Sequence, residues 1–251
     1  MLTPERHSII LDLIDKKEVV NIQELVDATC SSESTIRRDL SQLHKEKKLK
    51  RVHGGAEQLH QKGTEPNIAQ KSIIHLEEKQ RIGEFAASFV KDGDRVFLDA
   101  GTTIFHMIRF LEGKDIMAVT NGLTHIEELA KYQIPTYLTG GYVKQTTRAL
   151  IGARTIATLS EYRFDKCFMG VNGIHLDSGY TTPDPEEAAV KTSAIRFSQI
   201  AYMLADSSKF DEAAFSKIAD LHEAVILTAS VEEDVLAEYR EKTEIKVVER
   251  S

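Results

Sequence analysis

Short apolar segments alternate with amphipathic helical patterns between residues 76 and 228, and this alternation constrains the fold more than any other feature. Apolar runs of four or five residues are typical of strands buried on both faces, whereas apolar residues three or four positions apart indicate helices. The alternation predicts an α/β domain with a mostly parallel sheet covered by helices on both faces. The predicted strands are residues 95–99, 116–120, 136–139, 166–170, 200–204 and 224–228, and the predicted helices are residues 76–90, 102–111, 124–131 and 185–197.

Polar loops follow five of these strands, at residues 99–103, 120–122, 139–141, 170–173 and 205–209, and the first four of these loops contain glycine. The carboxyl ends of parallel strands meet at one edge of a sheet, where ligands bind in such folds. Each loop alone is also explained as a turn and a helix cap. Together, however, five such loops on one edge favour a polar pocket that accepts phosphate.

The candidate ligand-binding residues divide by chemistry. Gly101, Thr102 and Thr103 open a predicted helix, so their backbone N–H groups and hydroxyls form an anion site. Lys209 follows another strand and supplies a cation. The remaining candidates, which suit polar groups of a ligand, are Asp99, Asn121, Gly122, Gly140, Gly141 and Asn172.

The first sixty residues carry three short helical patterns. Thr3 and Pro4 begin the first, Asn21 caps the second, and Ser31 or Ser32 caps the third, since these residue types are favoured at such positions. The second and third helices have the spacing of a helix-turn-helix motif.

Positive charge is confined to the end of this region, although the whole chain has a net charge of −7. Residues 1–33 carry three basic and seven acidic side chains, whereas residues 34–56 carry seven basic and two acidic ones. The basic run 47–52 ends in His53-Gly54-Gly55, which predicts a short hairpin, or wing, whose glycines let backbone approach DNA. The alternative is a solvated helix face with lysines that serve solubility. The candidate DNA contacts are Ser34, Thr35, Arg37, Arg38, Lys50, Arg51, His53 and Gly54.

The segments Ser34–Leu40 and Arg51–Ala56 resemble the DNA-binding signature of the DeoR family of bacterial repressors. The resemblance implies a winged helix-turn-helix in which Arg37 and Arg38 contact DNA and Asp39 has a structural role. We therefore expect a DNA-binding domain at residues 1–57, a linker at residues 58–74, and an α/β sensing domain at residues 75–251.

The larger domain resembles the C-terminal domain of the same family, which is similar to ribose-5-phosphate isomerase and binds sugar phosphates. Asp99–Thr103 and Asp206–Lys209 match the two phosphate-holding motifs of the isomerase. Gly170–Gly173 replaces its carboxylate-bearing catalytic segment, so the resemblance implies a sensor and not an enzyme. Two alternatives are an active isomerase-like enzyme with an appended DNA-binding head, and an architectural DNA-binding protein. The roles of Glu186 and Glu187 stay open.

Within the family, three segments resemble the fructose-operon repressors: Met1–His7, Leu98–Thr103 and Tyr162–Lys166. This resemblance implies a repressor of a sugar operon that fructose 1-phosphate releases from its operator. Fructose 1,6-bisphosphate and tagatose 6-phosphate are the nearest competitors, and Arg148 is the candidate anchor for a second phosphate.

Other features narrow the class of protein. No apolar run reaches the ~18 residues of a membrane span, and no signal-peptide pattern begins the chain, so a cytoplasmic protein is expected. Cys30 and Cys167 lie far apart without metal-ligand companions, which favours reduced thiols and argues against a metal or other cofactor. One winged helix contacts few bases, so a homo-oligomer, dimer or tetramer, is expected.

Overall fold

The structure, a computed structural model, describes residues 2–17, 19–46, 48–52, 54–57, 68–229 and 231–248. The side chains of Lys50, Val52, Glu57 and Asp234 lie outside this description. The chain divides into two compact units, Met1–Glu65 and Pro66–Ser251. Each unit has its own core, and each is described by itself.

The smaller unit combines helices with a three-stranded sheet. Its elements are α1 (Thr3–Lys17), β1 (Val19–Asn21), α2 (Ile22–Thr29), α3 (Glu33–Lys45), β2 (Lys50–Val52) and β3 (Gly55–Glu57). Asn21 begins α2 with a capping box, since its side chain accepts a hydrogen bond from Glu24 N and Glu24 bonds back to Asn21 N. Ser32, and not Ser31, caps α3 by accepting a hydrogen bond from Thr35 N. The predicted helix-turn-helix is thereby confirmed.

The predicted wing is a hairpin of β2 and β3, and β1 pairs with β3 on its other side. Gly54 lies in the turn with φ of +84°, a conformation that favours glycine. Gly55 packs so closely on β1 that a Cβ atom there would lie 2.1 Å from the carbonyl oxygen of Val20. Packing within the unit therefore explains why residue 55 is glycine, whereas the sequence suggested that this glycine lets the backbone approach DNA. His53 lies outside the described residues.

A buried ion pair joins α1 to α3. Arg6 Nε lies 2.5 Å from Asp39 Oδ2, Arg6 Nη2 lies 3.1 Å from Oδ1, and His7 Nε2 lies 3.2 Å from Oδ1. Asp39 is only 4% exposed, which agrees with its expected structural role. Burial alone would raise the pKa of Asp39, but the hydrogen bonds from Arg6 and His7 outweigh it and lower that pKa.

The larger unit contains a seven-stranded sheet, smaller antiparallel sheets and covering helices. Its helices are α4 (Ile68–Ile73), α5 (Leu76–Ser88), α6 (Thr102–Ile108), α7 (His125–Lys131), α8 (Ala153–Ser160), α9 (Pro185–Arg196) and α10 (Glu233–Arg240). Its strands are β4 (Arg95–Leu98), β5 (Met117–Thr120), β6 (Thr136–Leu138), β7 (Tyr142–Lys144), β8 (Ala149–Ile151), β9 (Phe164–Gly170), β10 (Gly173–His175), β11 (Gly179–Thr182), β12 (Ser198–Leu204), β13 (Ser216–Ala219), β14 (Val225–Thr228) and β15 (Ile245–Val247). Single 3₁₀ turns occur at Arg109–Leu111, Ser207–Lys209 and Leu221–Glu223.

The large sheet has the strand order β15-β14-β12-β9-β4-β5-β6, and every pairing is parallel. Successive side chains of β9 point to opposite faces: Cys167 and Met169 join one buried cluster, and Phe168 joins the other. Helices α5, α6 and α7 cover one face, and α8, α9 and α10 cover the other. The predicted parallel sheet is thus confirmed. Its strand order reverses direction between β4 and β9, where ligands bind in open α/β sheets.

Some elements were not predicted. The β7–β8 hairpin and the antiparallel sheet of β10, β11 and β13 interrupt the alternation between strands and helices. Helix α4 lies within the predicted linker 58–74, of which residues 58–67 are outside the described part of the chain. No side chain of α4 is buried, which explains why the sequence shows no apolar period there.

Replacing Asp39 by Ala should destabilise the smaller unit by about 3–5 kcal/mol, because Arg6 would remain buried without its carboxylate. Since the folded pKa of Asp39 is lowered, the contribution of its charge is complete above the unfolded pKa of about 4. It is lost as the pH falls through the folded value. Hydrogen exchange of the full chain at neutral pH should show faster exchange in α1 and α3 and unchanged exchange in β4 and β9. The matched control is Asp12→Ala, an exposed carboxylate on α1; equal protection in the two variants would contradict the assignment.

Candidate functional site

One face of α3 presents the candidate DNA contacts. Arg37 and Arg38 are exposed, and Arg37 pairs with Glu33 at 2.6 Å with both side chains about half exposed. Such an exposed pair contributes little, so a phosphate or base edge can displace it. Ser34 and Thr35 share hydroxyl contacts with the capping residue Ser32.

The hairpin is tied to α3 through Arg51. Arg51 Nη1 donates to Ser41 Oγ at 2.9 Å, and Ser41 Oγ donates to the carbonyl oxygen of Arg37 at 2.8 Å. The structure thus brings Arg51 beside α3 and gives Ser41 a positioning role. Gly54 is exposed in the turn of the hairpin, whereas the Lys50 side chain and His53 lie outside the described parts of the chain.

In the larger unit, the five polar loops follow the carboxyl ends of β4, β5, β6, β9 and β12, which are parallel members of one sheet. The loops after β4 and β9 are neighbours at the point where the strand order reverses. Gly170 N donates to Asp99 Oδ2 at 3.1 Å across this point. The sheet therefore brings the predicted loops to one edge.

Asp99 forms a buried ion pair with Lys191 of α9. The Lys191 ammonium also donates to the carbonyl oxygen of Gly170 at 3.1 Å. Lys191 was not singled out in the sequence, where it reads as one polar position of a helix. Its charge balances that of Asp99, so this carboxylate need not repel an anion bound nearby.

Asn121 and His125 hold the loops after β4 and β5. Asn121 is buried; its Oδ1 accepts a hydrogen bond from Ala100 N at 3.0 Å, and its Nδ2 donates to the carbonyl oxygen of Leu150 at 3.3 Å. His125 Nε2 lies 3.3 Å from the carbonyl oxygen of Gly101, so this nitrogen carries the proton. Burial lowers the pKa of His125 to about 4, which keeps the ring neutral at pH 7.

Gly140 and Gly141 follow β6 with φ of +70° and +124°. The Thr155 hydroxyl donates to the carbonyl oxygen of Gly140 at 2.7 Å, and a Cβ atom on Gly141 would lie 2.2 Å from that hydroxyl. Close approach to α8 therefore requires glycine here. Gly122, after β5, forms an isolated bridge with Ala149.

Asn172 belongs to a chain of buried contacts that includes Glu187. Thr182 Oγ1 lies 3.1 Å from Asn172 Oδ1 and 3.4 Å from Glu187 Oε2. Glu187 Oε1 accepts from Thr147 at 2.6 Å and lies 3.2 Å from Lys144 Nζ. Glu187 therefore has a structural role that the sequence left open. Glu186 lies exposed in the first turn of α9.

Lys209 lies in the 3₁₀ turn that follows β12. Its Nζ donates to Ser208 Oγ at 3.0 Å and lies 3.8 Å from the buried Asp206 carboxylate, and its side chain is 30% exposed. Burial would raise the pKa of Asp206, but the charge of Lys209 and other nearby cations outweighs burial and lowers it. Lys209 is thus placed where its ammonium can reach a ligand at the carboxyl edge.

Two residues of α5 also reach this turn, and the sequence did not single them out. Glu78 accepts hydrogen bonds from Ser207 N at 2.8 Å and Ser207 Oγ at 3.1 Å. Burial and the charge of Asp206 raise the pKa of Glu78 to about 7. Lys79 is buried and donates to the carbonyl oxygen of Lys71, and burial lowers its pKa to about 8. Near the start of a helix both residues look like ordinary solvated charges.

Among the residues that the structure describes, no group of three or more His, Cys, Asp or Glu side chains is arranged to hold a metal ion. Nor is any helix in the described ranges long and apolar enough to cross a membrane.

Comparison with known proteins matches both units. Residues 6–62 match the DeoR-like helix-turn-helix domain, and residues 74–230 match the DeoR C terminal sensor domain. The chain is 51% identical to an uncharacterized HTH-type transcriptional regulator, FruR, of Bacillus subtilis, over 99% of each chain. It is 33% identical to the lactose phosphotransferase system repressor of Staphylococcus epidermidis, over 94% of each chain.

Among solved structures, ribose 5-phosphate isomerase A from Methanocaldococcus jannaschii aligns with a TM-score of 0.41 and 18% identity. The alignment covers 54% of this chain and 55% of that chain. The matches to both domain families and to full-length regulators agree with the motifs of α3 and of the carboxyl edge. The chain belongs to the DeoR family of transcriptional regulators, as a repressor with a helix-turn-helix unit and a sensor unit.

Proposed function

We propose that this repressor controls a sugar-utilisation operon, most specifically a fructose operon, and leaves its operator when fructose 1-phosphate binds the sensor unit. The observation that carries the proposal is the gathering of polar loops, with Lys209 and Lys79, at the carboxyl edge of the parallel sheet. This edge offers cations for phosphate, and backbone and amide groups for hydroxyls. Residues 1–57 bind DNA and residues 75–251 sense the sugar phosphate. The chain acts in the cytoplasm as a homo-oligomer, so that the DNA-binding units of two protomers bind the two half-sites of the operator.

The DNA contacts proposed are the eight candidates of α3 and the hairpin: Ser34, Thr35, Arg37, Arg38, Lys50, Arg51, His53 and Gly54. The exposure of Arg37 and Arg38, which directly precede the buried Asp39, supports this assignment. A guanidinium can bond two acceptors on a guanine edge or a phosphate.

The phosphate site proposed consists of Gly101, Thr102 and Thr103 with Lys209. Asp99, paired with Lys191, fixes the first of these loops, and Lys79 adds a second cation beside Lys209. The proposed partners of the sugar hydroxyls are Asn121, Gly122, Gly140, Gly141 and Asn172. No cofactor or metal takes part in the proposal.

We infer that the sensor unit is not an isomerase. Aldose–ketose isomerisation requires a carboxylate positioned as a base. Gly170–Gly173 carries no carboxylate, and the Glu187 carboxylate is occupied by contacts from Lys144, Thr147 and Thr182.

Replacing Arg37 or Arg38 by Ala should weaken operator binding by on the order of 1–3 kcal/mol if the residue reads a base. If the residue contacts only phosphate, binding should weaken equally on all sequences and depend less on salt. Binding is measured on a duplex selected from random-sequence DNA with the wild-type protein. The control is Arg95→Ala, an exposed arginine at the amino end of β4. Wild-type affinity in the folded double variant would remove α3 from the DNA interface.

Lys209→Ala should bind the operator with wild-type affinity and no longer release it when effector is added. A ligand dissociates a repressor only by binding its DNA-free state more tightly, so removal of the phosphate contact abolishes the shift. The readout is operator binding across a titration of fructose 1-phosphate. Lys217→Ala, which removes an exposed lysine paired with Asp220, is the matched control. A wild-type response in Lys209→Ala would place the phosphate elsewhere.

Fructose 1-phosphate should release the operator at a lower concentration than fructose 1,6-bisphosphate or tagatose 6-phosphate. Fructose 1,6-bisphosphate carries a second phosphate, which requires a second cationic anchor. The candidate for this anchor is Arg148, which lies in a left-handed turn with φ of +56°. Titration of operator-bound protein with the three compounds ranks them. Release by tagatose 6-phosphate at the lowest concentration would overturn the choice of sugar.

A further inference from the structure

Helix α4 lies at the surface of the larger unit. It has six residues, and none of its side chains is buried; Ile73 is 75% exposed. It is the first described element after residues 58–67, the segment that follows the DNA-binding unit in the chain. An isolated helix of this length has little stability of its own, so its contacts with neighbouring elements decide where it lies.

The first contact leads from the start of α4 to one side of the proposed sugar site. Ile68 N donates to the carbonyl oxygen of Thr146, in the turn between β7 and β8, at 2.9 Å. The next residue, Thr147, donates to the buried Glu187 carboxylate. Glu187 connects through Thr182 to Asn172, a proposed partner of sugar hydroxyls.

The second contact leads from α4 to the proposed phosphate site. The carbonyl oxygen of Lys71 accepts a hydrogen bond from the Lys79 ammonium. The adjacent Glu78 accepts two hydrogen bonds from Ser207, within the 3₁₀ turn that carries Lys209. The Glu78 carboxylate therefore fixes the turn that Lys209 needs, and Lys79 links the same stretch of α5 to α4.

We propose that α4 transmits occupancy of the effector site to the DNA-binding unit through these two contacts. The inference rests on the proposed function, because it takes the loops of Asn172 and Lys209 as the effector site. A phosphate beside Lys209 acts on the 3₁₀ turn that Glu78 holds, next to the contact of Lys79 with α4. A sugar beside Asn172 acts through Thr182 and Glu187 on the β7–β8 turn, which bonds the start of α4. Since α4 buries no side chain, it can shift without disrupting the core.

The test compares Ser72→Pro with Ser72→Ala. The Ser72 hydroxyl donates to the carbonyl oxygen of Ile68 within α4, and proline at this interior position breaks the helix while alanine preserves it. Three quantities are measured on the full chain. They are the affinity for the selected operator duplex, the affinity for fructose 1-phosphate without DNA, and the ratio of operator affinities without and with saturating sugar.

We expect both variants to keep operator and sugar affinities within about threefold of wild type. The ratio, which is typically about 5 to 150 for coupled sites, should fall to near 1 in Ser72→Pro and stay at the wild-type value in Ser72→Ala. A wild-type ratio in Ser72→Pro would overturn the role of α4.

A second variant tests the first contact alone. Thr147→Val keeps the shape of the side chain and removes the hydroxyl that bonds Glu187. The ratio of operator affinities should fall severalfold while the chain stays folded. The control is Thr158→Val, whose hydroxyl bonds the carbonyl oxygen of Arg154 within α8. An unchanged ratio in Thr147→Val would remove this contact from the transmission.

A reciprocal measurement needs no sugar, because coupling between two sites acts in both directions. Binding of the operator duplex should change amide exchange in α4 and in Ser207–Lys209 of wild type and Ser72→Ala. In Ser72→Pro the change at Ser207–Lys209 should disappear. Unchanged exchange in all three proteins would overturn the transmission through α4. Failure of fructose 1-phosphate to bind wild type would instead overturn the proposed effector.

Discussion

The ion pair of Asp99 and Lys191 holds the centre of the larger unit, and the geometry of the carboxyl edge depends on it. Asp99 follows β4, Lys191 comes from α9, and both contact Gly170 at the end of the central strand β9. The pair thus joins the strands between which the strand order reverses. Loss of either partner would leave a buried charge uncompensated, at a cost of about 3–5 kcal/mol. The ion pair therefore holds the loops after β4 and β9 in position.

Much of the fold could be predicted from local sequence. Six of the seven strands of the parallel sheet were predicted from short apolar runs, whereas the edge strand β15, Ile-Lys-Val and only partly buried, was not. Asn21 and Ser32 belong to the residue types that cap helices, so the helix-turn-helix could be placed before the contacts were seen. The predicted loops meet at one edge because parallel strands leave no other arrangement.

The partners within the candidate site could not be predicted in the same way. Lys191 lies 92 positions after Asp99, and Ser207 lies 129 positions after Glu78, and no local pattern encodes such pairings. Helix α4 escaped prediction because it buries no side chain, so the apolar periodicity that indicates a helix is missing from its sequence. The sequence therefore identifies the loops that form the edge, and the structure identifies the charges that hold them.

Three carboxylates at the carboxyl edge of the sheet lie beside lysines, although the chain as a whole is acidic. Asp99 is balanced by Lys191, Glu187 by Lys144, and Asp206 by Lys209 together with Lys79. Each of these three carboxylates contributes its charge to a pair that fixes a loop, but the charge of Asp206 still acts on the neighbouring Glu78 and, together with burial, raises the pKa of Glu78 to about 7.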